Sequence, residues 1–295
     1  MRRVSFRLPV DDKEELLDAL MPLLPAGVRE RPLDGGEVEL ATTAAAPPPR
    51  AMLEAAVGRP LGGWREEEVP DDWRDRRAMF GGGGFLVAGR VLVRSPWDPP
   101  AEPGVLDLVL ERGGGGFGSG SHATTRMCLE LLLELQPSGG AADLGCGLGT
   151  LAIAAARLGW APVIAVDRME GAVEAARANG ARNAATVDWR VTDLESAEVP
   201  LAGLLLVNAP PPVHARVASA LRADAAGAPR TDLPAAGPSA AATPALGAPR
   251  HVIASGVVPA ELEAVASDYA GAGWDVVATR AEDGWSAALL EPRGA

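Results

Sequence analysis

Between the apolar pair at 141–142 and the apolar run "LAIAAARL" lies "DLGCGLGT", Asp143 to Thr150. Gly145, Gly147 and Gly149 fall at alternate positions where a strand should become a helix. Glycine allows the sharp turn, and without a Cβ it lets a ligand lie against the backbone. The helix that follows offers unpaired N–H groups and the positive end of its dipole. Counted from Gly145 the spacing is G-x-G-x-G, and Thr150 stands where a dinucleotide fingerprint needs its third glycine. That disfavours a nicotinamide dinucleotide. Asp143, a carboxylate just before the turn, suits a cation better than a pyrophosphate. The next strand, "VIAVD", ends in Asp167, where a carboxylate can take both hydroxyls of a ribose. A ribose, an amino-acid end at the glycine turn and a sulfonium together describe S-adenosylmethionine. The rival reading, a tight turn with no ligand, is disfavoured by the strand before it, the helix after it and Asp167 in register.

A further apolar strand, "LLLVN", ends in Asn208. Its carboxamide oxygen could accept a hydrogen bond from a substrate N–H and aim the nitrogen lone pair at a methyl group. The alternative is an asparagine that caps the next helix. A sulfonium is already a good leaving group, so methyl transfer needs neither a metal nor a nucleophilic side chain. It needs a neutral amine. For a lysine of pKa about 10.4 at pH 7, deprotonation costs about 4.6 kcal/mol. Proximity to the sulfonium and partial burial both lower that cost. No dedicated base is evident, so positioning and electrostatics would carry the rate.

The elements that must hold these residues follow from periodicity. From about residue 120 helices alternate with continuous apolar strands. "TTRMCLELLLEL", "LAIAAARL", "EGAVEAARANGARN", "VHARVASALRA" and "AELEAVASDYAGAG" read as helices. "AADL", "VIAVD", "TVDWRV", "LLLVN", "HVIASGV", "WDVVATRA" and "WSAALLEP" read as strands. This predicts an α/β domain with a seven-stranded, mostly parallel sheet covered on both faces. The last two strands are separated only by "EDG", so they must form an antiparallel hairpin. Residues 1–70 read β-α-β-β-α-β, a ferredoxin-like α+β unit. Residues 71–112 form a connector, with a helix in "DDWRDRRAMF" and a hairpin in "FLVAGRVLVRSPW". Residues 113–295 form the larger domain, interrupted at 223–249 by an Ala-, Pro- and Gly-rich stretch read as a surface insertion.

The net charge of −12 argues against a surface that tracks nucleic-acid phosphates and would suit a basic protein partner. No apolar run reaches the roughly 20 residues that span a bilayer, and the start lacks a signal-peptide core. Cys128 and Cys146 have no paired spacing, which suggests a reducing, cytoplasmic setting without disulfides. His122, His214 and His251 lie far apart, so no metal site is expected.

Three segments together resemble one family: "FGSGSHATTRMCLELL", "ADLGCGLGTLAIAAARLG" and "VIAVDRMEGAVEAARANGARN". They are similar to the PrmA family, methyltransferases of the large-subunit ribosomal protein L-eleven. The family pattern F-G-T-G-x-H-x-T-T runs from Phe117 to Thr125, with Ser119 in place of Thr. The resemblance implies an S-adenosylmethionine-dependent N-methyltransferase with a Rossmann-like catalytic domain and a small N-terminal domain that grips a ribosomal protein. The segment from Phe117 would wrap the cofactor, with His122, Thr124 and Thr125 near its methionine end. Asp167 would take the ribose, and Asp193 and Leu194 would face the adenine. Because "SHATT" precedes a helix, Thr124 or Thr125 can cap it and leave a hydroxyl beside the ligand. Family members usually continue with aliphatic residues after the asparagine. Here Ala209-Pro210-Pro211-Pro212 follows, which would reshape the substrate mouth. The alternative readings are another protein or a small molecule as substrate, or a homologue that binds the cofactor without turnover.

Overall fold

The structure, a computed structural model, describes residues 2–10, 12–24, 28–33, 36–44, 46–68, 84–96, 98–111, 122–228 and 246–294. The chain forms two compact units. In the first, β1 (Arg2–Pro9), α1 (Lys13–Leu20), β2 (Arg29–Leu33), β3 (Glu37–Ala44), α2 (Arg50–Val57) and β4 (Gly62–Glu68) follow in turn. The four strands are antiparallel in the order β2-β3-β1-β4, the ferredoxin-like arrangement. Alternation along β1 buries Val4, Phe6 and Leu8, which pack with Leu17, Leu20 and Leu53 of the two helices.

The second unit begins with a hairpin of β5 (Phe85–Val87) and β6 (Val91–Arg94), joined in parallel by β7 (Leu106–Val109). The sequence places 84–111 in a connector; here Val87, Val91 and Leu108 share a core with Leu129 and Ile153, so these residues pack in the second unit. The strand at β7 was not anticipated. The expected helix in "DDWRDRRAMF", the glycine run at 113–116 and Phe117 lie outside the described residues.

The main sheet contains β8 (Ala141–Leu144), β9 (Val163–Asp167), β10 (Asp188–Val191), β11 (Leu204–Asn208), β12 (His251–Val257), β13 (Trp274–Glu282) and β14 (Trp285–Pro292). Their order is β10-β9-β8-β11-β12-β14-β13, and only β14 runs against the rest. Asp283 and Gly284, both at positive φ, make the tight turn into β14 and set Glu282 opposite Trp285. The helices are α3 (Ala123–Glu134), α4 (Thr150–Leu158), α5 (Glu170–Arg182), α6 (Pro211–Ala225) and α7 (Pro259–Gly271). One apolar cluster joins Leu129, Leu132 and Ile153 of α3 and α4 to Ala141. Another joins Val217, Leu221 and Val265 of α6 and α7 to Ala142 and Leu144. Strand β8 is therefore buried on both faces, which explains why Ala141, Ala142 and Leu144 are all apolar and Asp143 is buried with them.

The prolines after Asn208 have a local explanation. Pro211 and Pro212 occupy the first turn of α6, where no intrahelical N–H is required. Helix α6 continues through Ala225, so the first residues of the expected insertion at 223–249 are helical; 229–245 lie outside the described residues.

Candidate functional site

Strand order reverses direction between β8 and β11, and an open parallel sheet binds ligands at such a switch point, beyond its strand ends. The predicted residues Asp143, Gly145, Gly147, Gly149, Asp167 and Asn208 all lie at the ends of β8, β9 and β11 or in the turn into α4. Leu206 pairs with Asp143, and Asn208 lies two residues further along β11.

The turn is held from below. Gly145 and Cys146 both donate N–H bonds of 2.9 Å to the Val166 carbonyl, and Gly149 donates to Cys146 at 2.8 Å. Gly145, Gly147 and Gly149 have φ of 89°, 52° and 83°, the left-handed region that favours glycine. Gly149 is required for a second reason. A Cβ there would stand 2.7 Å from the Trp189 ring, and one at Gly180 would meet the other side of the same indole at 2.7 Å. Trp189 thus packs α4 and α5 together through two missing side chains.

Asp167 anchors the turn from the side. Its Oδ2 accepts the Gly147 N–H at 2.9 Å and its Oδ1 accepts the Met169 N–H at 3.0 Å. Asp143 is buried, and its Oδ2 accepts the Ala152 N–H in the first turn of α4 at 2.9 Å. Burial pushes its carboxyl up to about 7; the Ala152 bond opposes this and the charge of Asp167 adds to it. A buried carboxyl that resists ionisation beside a bare backbone turn fits a ligand that brings positive charge. These features fit the amino-acid and sulfonium end of S-adenosylmethionine.

At the start of α3 the cap is His122, not Thr124 or Thr125 as the sequence suggested. His122 Nδ1 accepts the Thr124 backbone N–H at 3.4 Å and lies 2.8 Å from Thr124 Oγ1. The imidazole displaces the threonines from that role because its extended backbone points the ring over the helix end and against the edge of Trp285, 4.9 Å away between ring centres. Thr124 and Thr125 are buried in the first turn, and Thr125 Oγ1 has no hydrogen-bond partner among the described residues.

Asp193 and Leu194 follow β10. Both Asp193 oxygens serve a local turn, accepting from Glu195 N at 3.0 Å and Ser196 Oγ at 3.0 Å. Leu194 is buried in the cluster of Leu144 and Val166, and Arg216 of α6 holds its carbonyl at 3.2 Å. Asn208 is half-buried at the end of β11. It does not cap α6, whose N-cap is Pro210, and its carboxamide has no hydrogen-bond partner among the described residues.

Sequence reasoning missed what holds the backbone after Asn208. The Ser255 carbonyl accepts the Ala209 N–H at 3.0 Å and His214 Nε2–H at 2.9 Å. His214 Nδ1 lies 3.2 Å from the Tyr269 hydroxyl, and both side chains are fully buried. Burial lowers the pKa of His214, against smaller opposing effects of the Ser255 and Ala209 backbone and of Asp268. With a carbonyl at Nε2, the neutral ring carries its proton there and Nδ1 accepts from Tyr269. Gly256 completes the contact, since a Cβ on it would fall 2.6 Å from Ala209 N. A histidine 55 residues from its tyrosine gives no local sequence signal.

Among the described residues no cluster of His, Cys, Asp and Glu could hold a metal ion, and no helix is long and apolar enough to cross a membrane.

The family model described as "Ribosomal protein L11 methyltransferase (PrmA)" matches residues 84–207. The ribosomal protein L11 methyltransferase of Geobacter metallireducens is 38% identical over 138 residues, 46% of this chain and 43% of that protein. The protein of the same name from Symbiobacterium thermophilum is 34% identical over 229 residues, 77% of this chain and 66% of that protein. The chain thus spans less than two thirds of the length of these curated relatives. Among solved structures, a ribosomal protein L11 methylase from Lactobacillus delbrueckii subsp. bulgaricus superposes with a TM-score of 0.54 at 21% identity, covering 71% of this chain and 98% of that one. That likeness shows a shared Rossmann-like α/β fold. The match to the family model over residues 84–207 and the identities of 38% and 34% to two curated relatives support membership of the chain in the ribosomal protein L11 methyltransferase (PrmA) family.

Proposed function

We propose that this chain is an S-adenosylmethionine-dependent protein N-methyltransferase that acts on lysine or N-terminal amines of ribosomal protein L11 in the cytoplasm. One observation carries the reading: a backbone turn at positive φ, bordered by the buried carboxyl of Asp143 and by Asp167, at the switch point of the sheet. When bound, the cofactor supplies an electrophilic methyl group on a good leaving group.

Every other task falls to the chain. Asp167 holds the ribose hydroxyls and keeps the Gly147 amide in place. Asp143 balances positive charge from beneath the turn. His122, Thr124 and Thr125 take the methionine end, together with Phe117, and Asp193 and Leu194 border the adenine. Asn208 accepts a hydrogen bond from the substrate amine and aims its lone pair. Its carboxamide, with no hydrogen-bond partner among the described residues, supports that role. The first unit recognises the substrate protein, whose basic character complements the acidic chain.

The test is intact-mass analysis of ribosomal protein L11 after incubation with the chain and S-adenosylmethionine. Methyl increments are expected. Asn208→Ala should lower turnover by about 100-fold, the scale of a lost orienting contact, and leave cofactor affinity unchanged. No mass increment with L11, alongside methylation of another protein, would move the substrate. No increment in any extract protein would overturn the enzymatic reading.

A further inference from the structure

Two asparagines four residues apart, Asn179 in the last turn of α5 and Asn183 at its C-cap, are 1% and 3% exposed. A buried carboxamide must satisfy both its ends, and here both do so on backbone. Asn183 accepts the Val109 N–H at 2.8 Å and donates to the Val109 carbonyl at 2.8 Å. Asn179 accepts the Glu111 N–H at 2.9 Å and donates to the Glu111 carbonyl at 3.3 Å. Between them, Leu110 turns the other way and donates to Arg94 of β6 at 2.8 Å. The two side chains therefore stand in for a missing strand along the outer edge of β7. The spacing explains why a helix can do this: four residues of helix rise about 6.0 Å and two residues of strand about 6.6 Å.

Asn179 makes one contact that this edge does not need. Its Nδ2 also donates to the Leu148 carbonyl at 3.2 Å, inside the glycine turn. Two successive residues of that turn are thus held by side chains from the β9–α5 region: the Gly147 N–H by Asp167 and the Leu148 carbonyl by Asn179. The Asn183 side chain makes no hydrogen bond to the turn; its remaining one is to the Asn179 carbonyl at 2.8 Å.

We propose that Asn179 is a positioning residue for the cofactor site, tying the Leu148 carbonyl to the Glu111 backbone so that the Gly147–Gly149 turn keeps the shape a ligand requires. Asn183 serves the edge of β7 alone. This inference rests on the cofactor reading above. It also predicts that ligand binding at the turn and order at Glu111 are coupled.

Asn179→Asp tests the tie. It keeps an acceptor for the Glu111 N–H and for Arg182, which donates to Oδ1 at 3.1 Å, and removes the Nδ2 donor to both the Leu148 and the Glu111 carbonyls; Asn183→Ala, which removes the equivalent edge bonds at Val109, controls for the loss at Glu111. By calorimetry with S-adenosylmethionine, Asn179→Asp should weaken binding by at least about tenfold, the scale of leaving one buried acceptor unpaired. Asn183→Ala should lower the melting temperature yet change Kd by no more than about twofold, since its side chain makes no hydrogen bond to the turn. Equal Kd for wild type and a folded Asn179→Asp overturns the inference, as does an Asn183→Ala variant that loses affinity equally. Should Asn179→Asp not fold, amide exchange of the wild-type chain decides: S-adenosylmethionine should slow exchange at Gly149 and Glu111 together, and an unchanged Glu111 amide overturns the coupling. Wild-type protein that gives no heat with S-adenosylmethionine overturns the cofactor reading, and this inference falls with it.

Discussion

Asp143 should make both stability and cofactor affinity depend on pH, and the two effects have calculable sizes. In the unfolded chain its carboxyl titrates near the ordinary value of 3.8; in the folded chain burial raises it to about 7. Between these values the native state holds a proton that the unfolded state has released. Stability is therefore fully present below about 4, falls as pH rises and levels off above about 7. A shift of about 3 units at 1.36 kcal/mol each amounts to about 4 kcal/mol lost across that window. The lowered pKa of buried His214 acts with the opposite sign, removing stability as pH falls, and His251 does the same. The difference between wild type and Asp143→Asn isolates the carboxyl. Urea unfolding from about pH 5 to 8 should show that difference falling by about 1.4 kcal/mol per pH unit until near neutrality. A cationic ligand favours the ionised carboxylate, so S-adenosylmethionine should bind with release of a proton. Its Kd should then weaken by up to about tenfold per pH unit below 7. Calorimetry in buffers of different ionisation enthalpy measures that release directly. Parallel stability curves for wild type and Asp143→Asn, or binding without proton release at about pH 6, would refute the electrostatic account of the site.

Two further substitutions probe the walls of the same site. Asp167→Ala removes the acceptor for the Gly147 and Met169 amides, so affinity for S-adenosylmethionine should fall by about 100-fold while the far-ultraviolet circular dichroism stays native. Gly256→Ala places a methyl group 2.6 to 2.9 Å from the Ala209 backbone. It should cost about 1–3 kcal/mol in urea denaturation and reduce kcat through displacement of Asn208, with little change in cofactor Kd.

Much of the architecture was legible because its signals are local. Continuous apolar runs such as "VIAVD" mark strands buried on both faces, and the three-residue link "EDG" forces an antiparallel end to the sheet. The glycine turn and Asp167 could be placed because a ligand site at the end of a parallel strand is made by the residues that follow that strand. The cap of α3 is not legible in this way: threonines are ordinary caps, and only the packing against Trp285 shows why His122 takes the position. Likewise α6 starts earlier than its apolar spacing implied, since prolines that interrupt a helix interior fit its first turn.

The amino-acid sequence by itself determined which residues could meet a ligand, because strand and helix periodicities assign each side chain to a face or an end. Only the tertiary structure decided what those residues are worth chemically. Asp143 is an ordinary aspartate in the sequence and becomes hard to ionise only when helix and sheet close around it. Asn179 and Asn183 reach backbone 68 and 74 residues away, and Trp189 needs both Gly149 and Gly180 to fit. Burial and long-range hydrogen bonds are properties of packed elements, and no pattern of neighbouring residues encodes them.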